Sequence, residues 1–279
     1  MSDKYIALFS RFIPCGVYEA VYILDALFEN MSEIQPKKLH ADTQGQSLTV
    51  FGLAFLLGIQ LMPRIRNWKG LNVFKADPSS QYRHIDSIFT EESIDWDLIE
   101  RHLADMFRIA ISIQEGRISA SAILRRLSSY SRKNKLYFAF QELGKVVRSA
   151  FLLRYFRLPE MRRDINHATT ISEAFNDFIQ WIGFGNNGII TENSRDEQRK
   201  VIKYGHLVAN ALIFMNVYDQ TRILQDLAAE GYNITPEILA RLGPFRTAHV
   251  NRFGKYEIDE NRPPIELDYA DVLIPPTLN

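Results

Sequence analysis

The sequence predicts an α/β chain, with its strands gathered near the start and helices dominating the rest. Three observations carry this. Short apolar runs bounded by Pro and Gly fill the first 75 residues, where strands are expected. Those runs alternate with an amphipathic stretch, giving the strand–helix–strand order of a parallel crossover. From Ile94 onward, apolar residues recur at helical spacing to about residue 230.

Each element follows in order. Residues 5–13 (YIALFSRFI) are mostly apolar and aromatic, which predicts a buried strand, and Pro14 and Gly16 break it. Residues 17–31 set Val17, Val21, Leu24, Phe28 and Met31 on one helical face. After Pro36, residues Lys37 to Ala41 can form a second strand. Ser47 is placed to cap a helix over 48–60. Residues 61–66 and 71–75 read as short strands, and Pro63 confines the first to an edge. A polar loop runs from about Ala76 to Thr90. Helices are predicted at 96–115, 119–130, 136–156, 171–182 and 198–230, with a loop at 183–197. Thr235-Pro236-Glu237 opens a short helix in the cap-then-proline manner. The tail after Phe253 has four prolines and an acidic bias, which predicts an extended segment.

Composition narrows the function classes. Of 279 residues 46% are hydrophobic, enough for a substantial core. Lys+Arg and Asp+Glu each total 33, which excludes a uniformly basic coat but not a local basic patch. The single cysteine, Cys15, excludes an intrachain disulfide and a Cys-based zinc cluster. The first residues, MSDKYIALFSRF, lack the basic-then-apolar layout of a signal peptide. The longest apolar stretch, Leu48 to Met62, is broken by Gln60 and falls short of the ~20 residues of a membrane span. There is no phosphate-binding Gly-rich loop with Lys-Ser/Thr, no Gly-x-Ser-x-Gly and no His-Glu-x-x-His. The six histidines are scattered without ligand spacing.

Three features could carry chemistry. Asp42 ends the predicted strand 37–41, and functional groups of open parallel sheets gather at such ends. A carboxylate there suits a hard cation such as Mg²⁺; the alternative is a turn or helix cap. Glu173 is the second candidate, but Thr170-Ile171-Ser172-Glu173 also matches a capping box. Glu192 and Glu197 are rival carboxylates in the loop that follows. The third is a basic stretch. Eleven Lys/Arg lie from Arg125 to Arg163, among them Arg126, Arg132, Lys133, Lys145, Arg148, Arg154, Arg157 and Arg162, against only Glu142 and Glu160. Tyr130, Tyr137, Phe138, Tyr155 and Phe156 interleave with them. Phosphate binding accounts for that asymmetry, and so does a solvated helix face over an aromatic core.

Several motifs together carry a resemblance. His40-Ala41-Asp42-Thr43-Gln44-Gly45 is followed by an apolar helix with Phe51-Gly52-Leu53 and Leu57-Gly58, then by Pro63-Arg64-Ile65-Arg66. Ser2-Asp3-Lys4-Tyr5 precedes them; Leu242-Gly243-Pro244-Phe245 and His249-Val250-Asn251-Arg252-Phe253-Gly254-Lys255-Tyr256 follow. In this order they resemble the Tn-three family of replicative bacterial transposases over nearly the whole chain.

The resemblance implies an RNase-H-like DDE core, incomplete at its N-terminus, with a large helical insertion and a C-terminal helical region. It divides the chain into a partial sheet (1–92), a basic insertion (93–170), C-terminal helices (171–254) and a tail (255–279). It implies Asp42 as the second acid of the triad and Glu173 as the third, both holding Mg²⁺ or Mn²⁺. The family commonly shows Asn-Lys-Gly-Glu where this chain has Thr-Ile-Ser-Glu. Its first Asp usually lies upstream of the segment matching Ser2-Asp3-Lys4-Tyr5, where this chain begins. The expectation is therefore a chain that cleaves and joins DNA poorly or not at all by itself, or a non-catalytic DNA-binding remnant or regulator. DNA is the implied partner, gripped by Arg64, Arg66 and the basic stretch through Arg163. A homodimer or association with a full-length transposase is also expected, in a bacterial cytoplasm at the nucleoid.

Overall fold

The structure is a computed structural model. It describes residues 22–30, 35–129, 134–183 and 188–255, with Tyr5, Glu33, Glu257, residues 259–261 and Pro263. The chain divides into two compact units, Leu8–Ser172 and Met1–Ala7 with Glu173–Asn279. Apart from Tyr5, the strand predicted at 5–13 lies outside the described residues, as do residues 17–21 and Met31 of the helix predicted at 17–31.

The unit of residues 8–172 opens with a short helix, α1 (Ile23–Phe28). Strand β1 (Lys38–Ala41) leads through a 3₁₀ turn at Thr43–Gln46 into helix α2 (Leu48–Leu56) and back along strand β2 (Gln60–Pro63). β1 and β2 are parallel, with Lys38 opposite Gln60 and Ala41 opposite Pro63. The crossover predicted from sequence, built of residues 5–13, 17–31 and 37–41, has its first strand outside the described residues apart from Tyr5; β1–α2–β2 is a further crossover, made of pieces predicted singly at 37–41, 48–60 and 61–66. α2 is apolar on every side and accordingly sits inside the core, with Thr49 to Ala54 all buried. Ser47 is its N-cap residue, without a side-chain capping bond. Its last turn closes when Gly58 N–H donates to Phe55 O and Ile59 N–H to Ala54 O.

A second parallel pair joins β3 (Val73–Lys75) to β4 (Phe89–Ser93). The loop predicted at 76–90 ends two residues early, where β4 begins. The β4 residues FTEES carry no apolar alternation, and β4 is a strand because Val73 and Lys75 offer a paired edge.

Helices α3 (Trp96–Gln114), α4 (Ala120–Ser129) and α5 (Lys135–Arg157) follow the predicted periodicity within a few residues. Asp95 caps α3 by accepting from Leu98 N, and Asn134 caps α5 by accepting from Leu136 N and Tyr137 N. One core holds these elements together: Leu24, Val50, Phe51, Leu53, Met106, Phe140, Leu152 and Ile165 are all 0–1% exposed. The rings of Phe51 and Phe151 lie 5.5 Å apart.

Helix α6 (Pro159–Ile182) begins twelve residues before the predicted 171. Pro159 supplies a first-turn φ at no hydrogen-bond cost, and Met161 and Ile165 extend the buried stripe upstream of Ile171. Thr170 is therefore inside a helix, and the capping-box reading of Glu173 does not hold. Thr169 Oγ1 donates back to Ile165 O (2.9 Å) and Ser172 Oγ to Ala168 O (3.2 Å), as mid-helix hydroxyls do.

The other unit is helical. α7 (Arg195–Ala229) packs Ala209 and Ile213 on Phe175 and Phe178 of α6. α8 (Pro236–Leu239) starts where the cap-then-proline signal placed it, with Thr235 Oγ1 accepting from Ile238 N. The buried Asn216 donates to Pro244 O (2.7 Å) and Arg246 O (2.9 Å). Arg252 donates to Trp181 O and lies over its ring. Two of the C-terminal motif residues, Pro244 and Arg252, thus tie the chain end onto α7 and α6.

Candidate metal and nucleic-acid site

Asp42 follows the last residue of β1, and its side chain is exposed. The parallel register carries β2 out at the same end, so Arg64 emerges beside it: Arg64 N–H donates to Ala41 O at 2.7 Å. Arg64 and Arg66 are both exposed. Gly45 N–H closes the turn onto Asp42 O at 3.1 Å, and the turn is tight: a Cβ on Gly45 would stand 2.8 Å from the Ala41 Cβ. Gln46 Nε2 donates to Arg64 O (3.1 Å), lacing the turn to the exit of β2. Ser47, rather than Asp42, occupies the N-cap of α2.

His40 lies two residues back. Burial pushes its imidazole below the ordinary histidine value, while Asp164 of α6 raises it and Lys38 lowers it. Its enclosed Nδ1 has no hydrogen-bond partner among the described residues.

Glu173 belongs to the other unit. It is exposed on α6, with Asn176 and Asp177 three and four residues on along the same exposed face. Of its rivals, Glu197 is paired with Lys200 at 2.6 Å, and the Glu192 carbonyl accepts from Gln198 Nε2. Among the described residues no group of three or more His, Cys, Asp or Glu gathers in one place. Asp42 is a hard oxygen donor, open to solvent, with the backbone of Arg64 leaving the neighbouring strand at the same end. That suits a divalent ion which keeps water and takes its remaining oxygens from phosphates.

The basic residues divide by surroundings. Arg126, Arg154, Arg157 and Arg163 are exposed. Arg125, also exposed, lies over the Tyr22 ring at 5.6 Å and donates to Ser121 O. Lys145 is drawn inward, 2.8 Å from Glu142, 3.6 Å from Glu92 and over the Phe74 ring. Arg162 donates to Tyr155 O and Phe156 O, satisfying the last carbonyls of α5. Arg148 donates to Gln46 O at 3.1 Å. Arg132 and Lys133 lie outside the described residues. Sequence reasoning passed over Gln46. Its only signal was a position at the end of the polar run Thr43-Gln44-Gly45-Gln46.

The profile of the Tn3 transposase DDE domain matches residues 1–256. The chain belongs to this family. It is 28% identical over 261 residues to the transposase of transposon Tn1546 from Enterococcus faecium, covering 94% of this chain and 26% of that protein. It is 30% identical over 262 residues to the transposase of Tn501 from Pseudomonas aeruginosa, again 94% and 26%. With the transposase of transposon gamma-delta from Escherichia coli it shares 28% over 256 residues, 92% of this chain and 25% of the relative. The chain thus spans about a quarter of the length of these relatives. A DDE transposase domain implies an RNase-H-like fold and the use of divalent metal ions, and the mixed architecture with few strands agrees with that fold. Among the described residues no helix is long and apolar enough to cross a membrane.

Proposed function

We propose that the chain contributes Asp42 and Glu173 as metal-binding carboxylates to DNA transposition, the cleavage and joining of DNA strands at transposon ends with Mg²⁺ or Mn²⁺. The observation that supports this most is Asp42 at the C-terminal tip of a parallel strand, exposed, with Arg64 leaving the neighbouring strand beside it. Strand joining is an in-line displacement at phosphorus, and divalent ions stabilise the attacking and leaving oxygens. Asp42 presents a fixed anionic oxygen at the strand tip, and Arg64 and Arg66 draw the DNA phosphates to it. Glu173 offers its carboxylate from a helix, where its position is set by the backbone of α6 rather than by a loop. α3, α4 and α5 form the helical insertion, whose exposed Arg126, Arg154, Arg157 and Arg163 hold the flanking duplex. The partner is DNA in a bacterial nucleoid, and the chain works as a homodimer or beside a full-length transposase.

A second reading has one observation in its favour: no group of three metal-binding side chains gathers among the described residues. In that reading the chain grips DNA without cutting it and regulates an intact transposase.

One experiment separates the two. Residues 1–256 replace the matching segment of the Tn501 transposase, and Mg²⁺-dependent joining of end DNA is measured. The catalytic reading predicts joining by the graft and a drop of at least ~10³-fold in Asp42→Asn and in Glu173→Gln, as for loss of a group acting in the transition state. A graft that binds DNA and joins none supports the second reading; one that joins equally well with both substitutions removes Asp42 and Glu173 from the chemistry.

A further inference from the structure

Arg148 is held unlike the exposed arginines around it. It lies on α5, one turn beyond Gly144, at the point where α5 crosses α2 backbone to backbone. A Cβ on Gly144 would run into the Leu48 carbonyl, 2.5 Å from its carbon, and one on Gly52 would come within 2.6 Å of Phe140 O. That contact brings the next turn of α5 against the start of α2, and Arg148 Nη1 donates to Gln46 O at 3.1 Å, across 102 residues of sequence. The bond is one link of a chain. Gln46 Nε2 donates to Arg64 O, Arg64 N–H donates to Ala41 O, and Gly45 N–H donates to Asp42 O.

Packing alone does not explain a guanidinium there. Among the described residues no ion pair involves Arg148, and its enclosed Nε has no hydrogen-bond partner. A half-buried, unpaired charge with an orphan donor costs stability, where methionine would fill the same space at no such cost. The feature that offsets the cost is the clamp on the 43–46 turn.

We propose that Arg148 is a positioning residue for Asp42: by fixing Gln46 O it holds the Thr43–Gln46 turn closed and keeps the Asp42 carboxylate in one orientation at the strand tip. The role rests on the reading of Asp42 as a metal-binding carboxylate. A four-residue 3₁₀ turn has few bonds of its own. Freed from α5, it opens and lets the carboxylate swing, and misplacement of a reacting group by about 1 Å costs on the order of 10²-fold. Lysine in place of Arg148 keeps the charge and a single donor, so it restores part of the clamp; methionine restores none.

The test uses the full chain with Arg148→Met, Arg148→Lys and Asp42→Asn. Two quantities are read: amide hydrogen exchange of residues 43–46, and Mn²⁺ affinity by electron paramagnetic resonance with the metal alone. The expected result for Arg148→Met is exchange at the turn about tenfold faster and Mn²⁺ binding about tenfold weaker, with the amides in the middle of α5 still protected. Arg148→Lys falls between Arg148→Met and the unaltered protein in both, which a purely structural role does not predict. Should the methionine variant fail to fold, the lysine variant decides by the same two readings. Exchange at 43–46 or Mn²⁺ affinity that stays at the unaltered value in the decisive variant overturns the proposal. Loss of Mn²⁺ binding in Asp42→Asn alongside such a result leaves the Asp42 reading standing. Mn²⁺ binding that Asp42→Asn does not change removes that reading, and the positioning role falls with it.

Discussion

Asp42 and Glu173 are the same kind of donor in different settings. Asp42 stands on a strand tip, in a turn laced by side-chain bonds from Gln46 and Arg148. Glu173 stands exposed on a long helix. The local sequence pointed at both residues and misread one of them. Thr170-Ile171-Ser172-Glu173 has the letters of a capping box, yet a box needs non-helical backbone at its first residue. Pro159, Met161 and Ile165 carry the helix through that point, and the hydroxyls of Thr169 and Ser172 turn back to the preceding carbonyls. Glu173→Gln is therefore predicted to change stability in urea unfolding by no more than about 0.5 kcal/mol, as for an exposed mid-helix site. A loss of about 1 kcal/mol, the usual cost of a missing cap, would restore the capping account.

At the scale of elements, the site depends on how closely α5 crosses α2. Gly52 and Gly144 meet across that crossing, and each would place a Cβ into the other helix's backbone. Gly144→Ala is predicted to lower stability by about 3 kcal/mol, since backbone cannot yield as a flexible side chain can. Urea unfolding of the full chain checks this; a change under 1 kcal/mol would mean the helices separate at little cost. The pieces β1, α2 and β2 were legible because apolar runs and Pro63 bound each of them; their parallel pairing was not, since the crossover was read from the preceding strand and helix. β4 was not, because FTEES becomes a strand only through pairing with β3. The tie from Arg148 to Gln46 was not legible either. Nothing local in a helix of mixed aromatic and basic residues says which arginine faces a turn 102 residues earlier.

For the whole molecule, the balance of 33 basic and 33 acidic residues conceals a sorted surface. The stretch from Arg125 to Arg163 is basic, and its members serve different ends: Lys145 and Arg162 stabilise α5, while Arg126, Arg154, Arg157 and Arg163 face solvent. The ordered motifs were legible as a family resemblance, and the profile match over residues 1–256 bears that out. The two compact units meet at Ser172/Glu173, with Asp42 in one and Glu173 in the other, close to the 170/171 boundary that the resemblance implied. The central claim is that a divalent ion binds the Asp42 carboxylate. Anomalous diffraction from crystals of the chain with duplex DNA and Mn²⁺ tests it most directly. The account predicts a peak about 2.1 Å from an Asp42 carboxylate oxygen, lost in Asp42→Asn. Peaks found only elsewhere, or unchanged by that substitution, would contradict it.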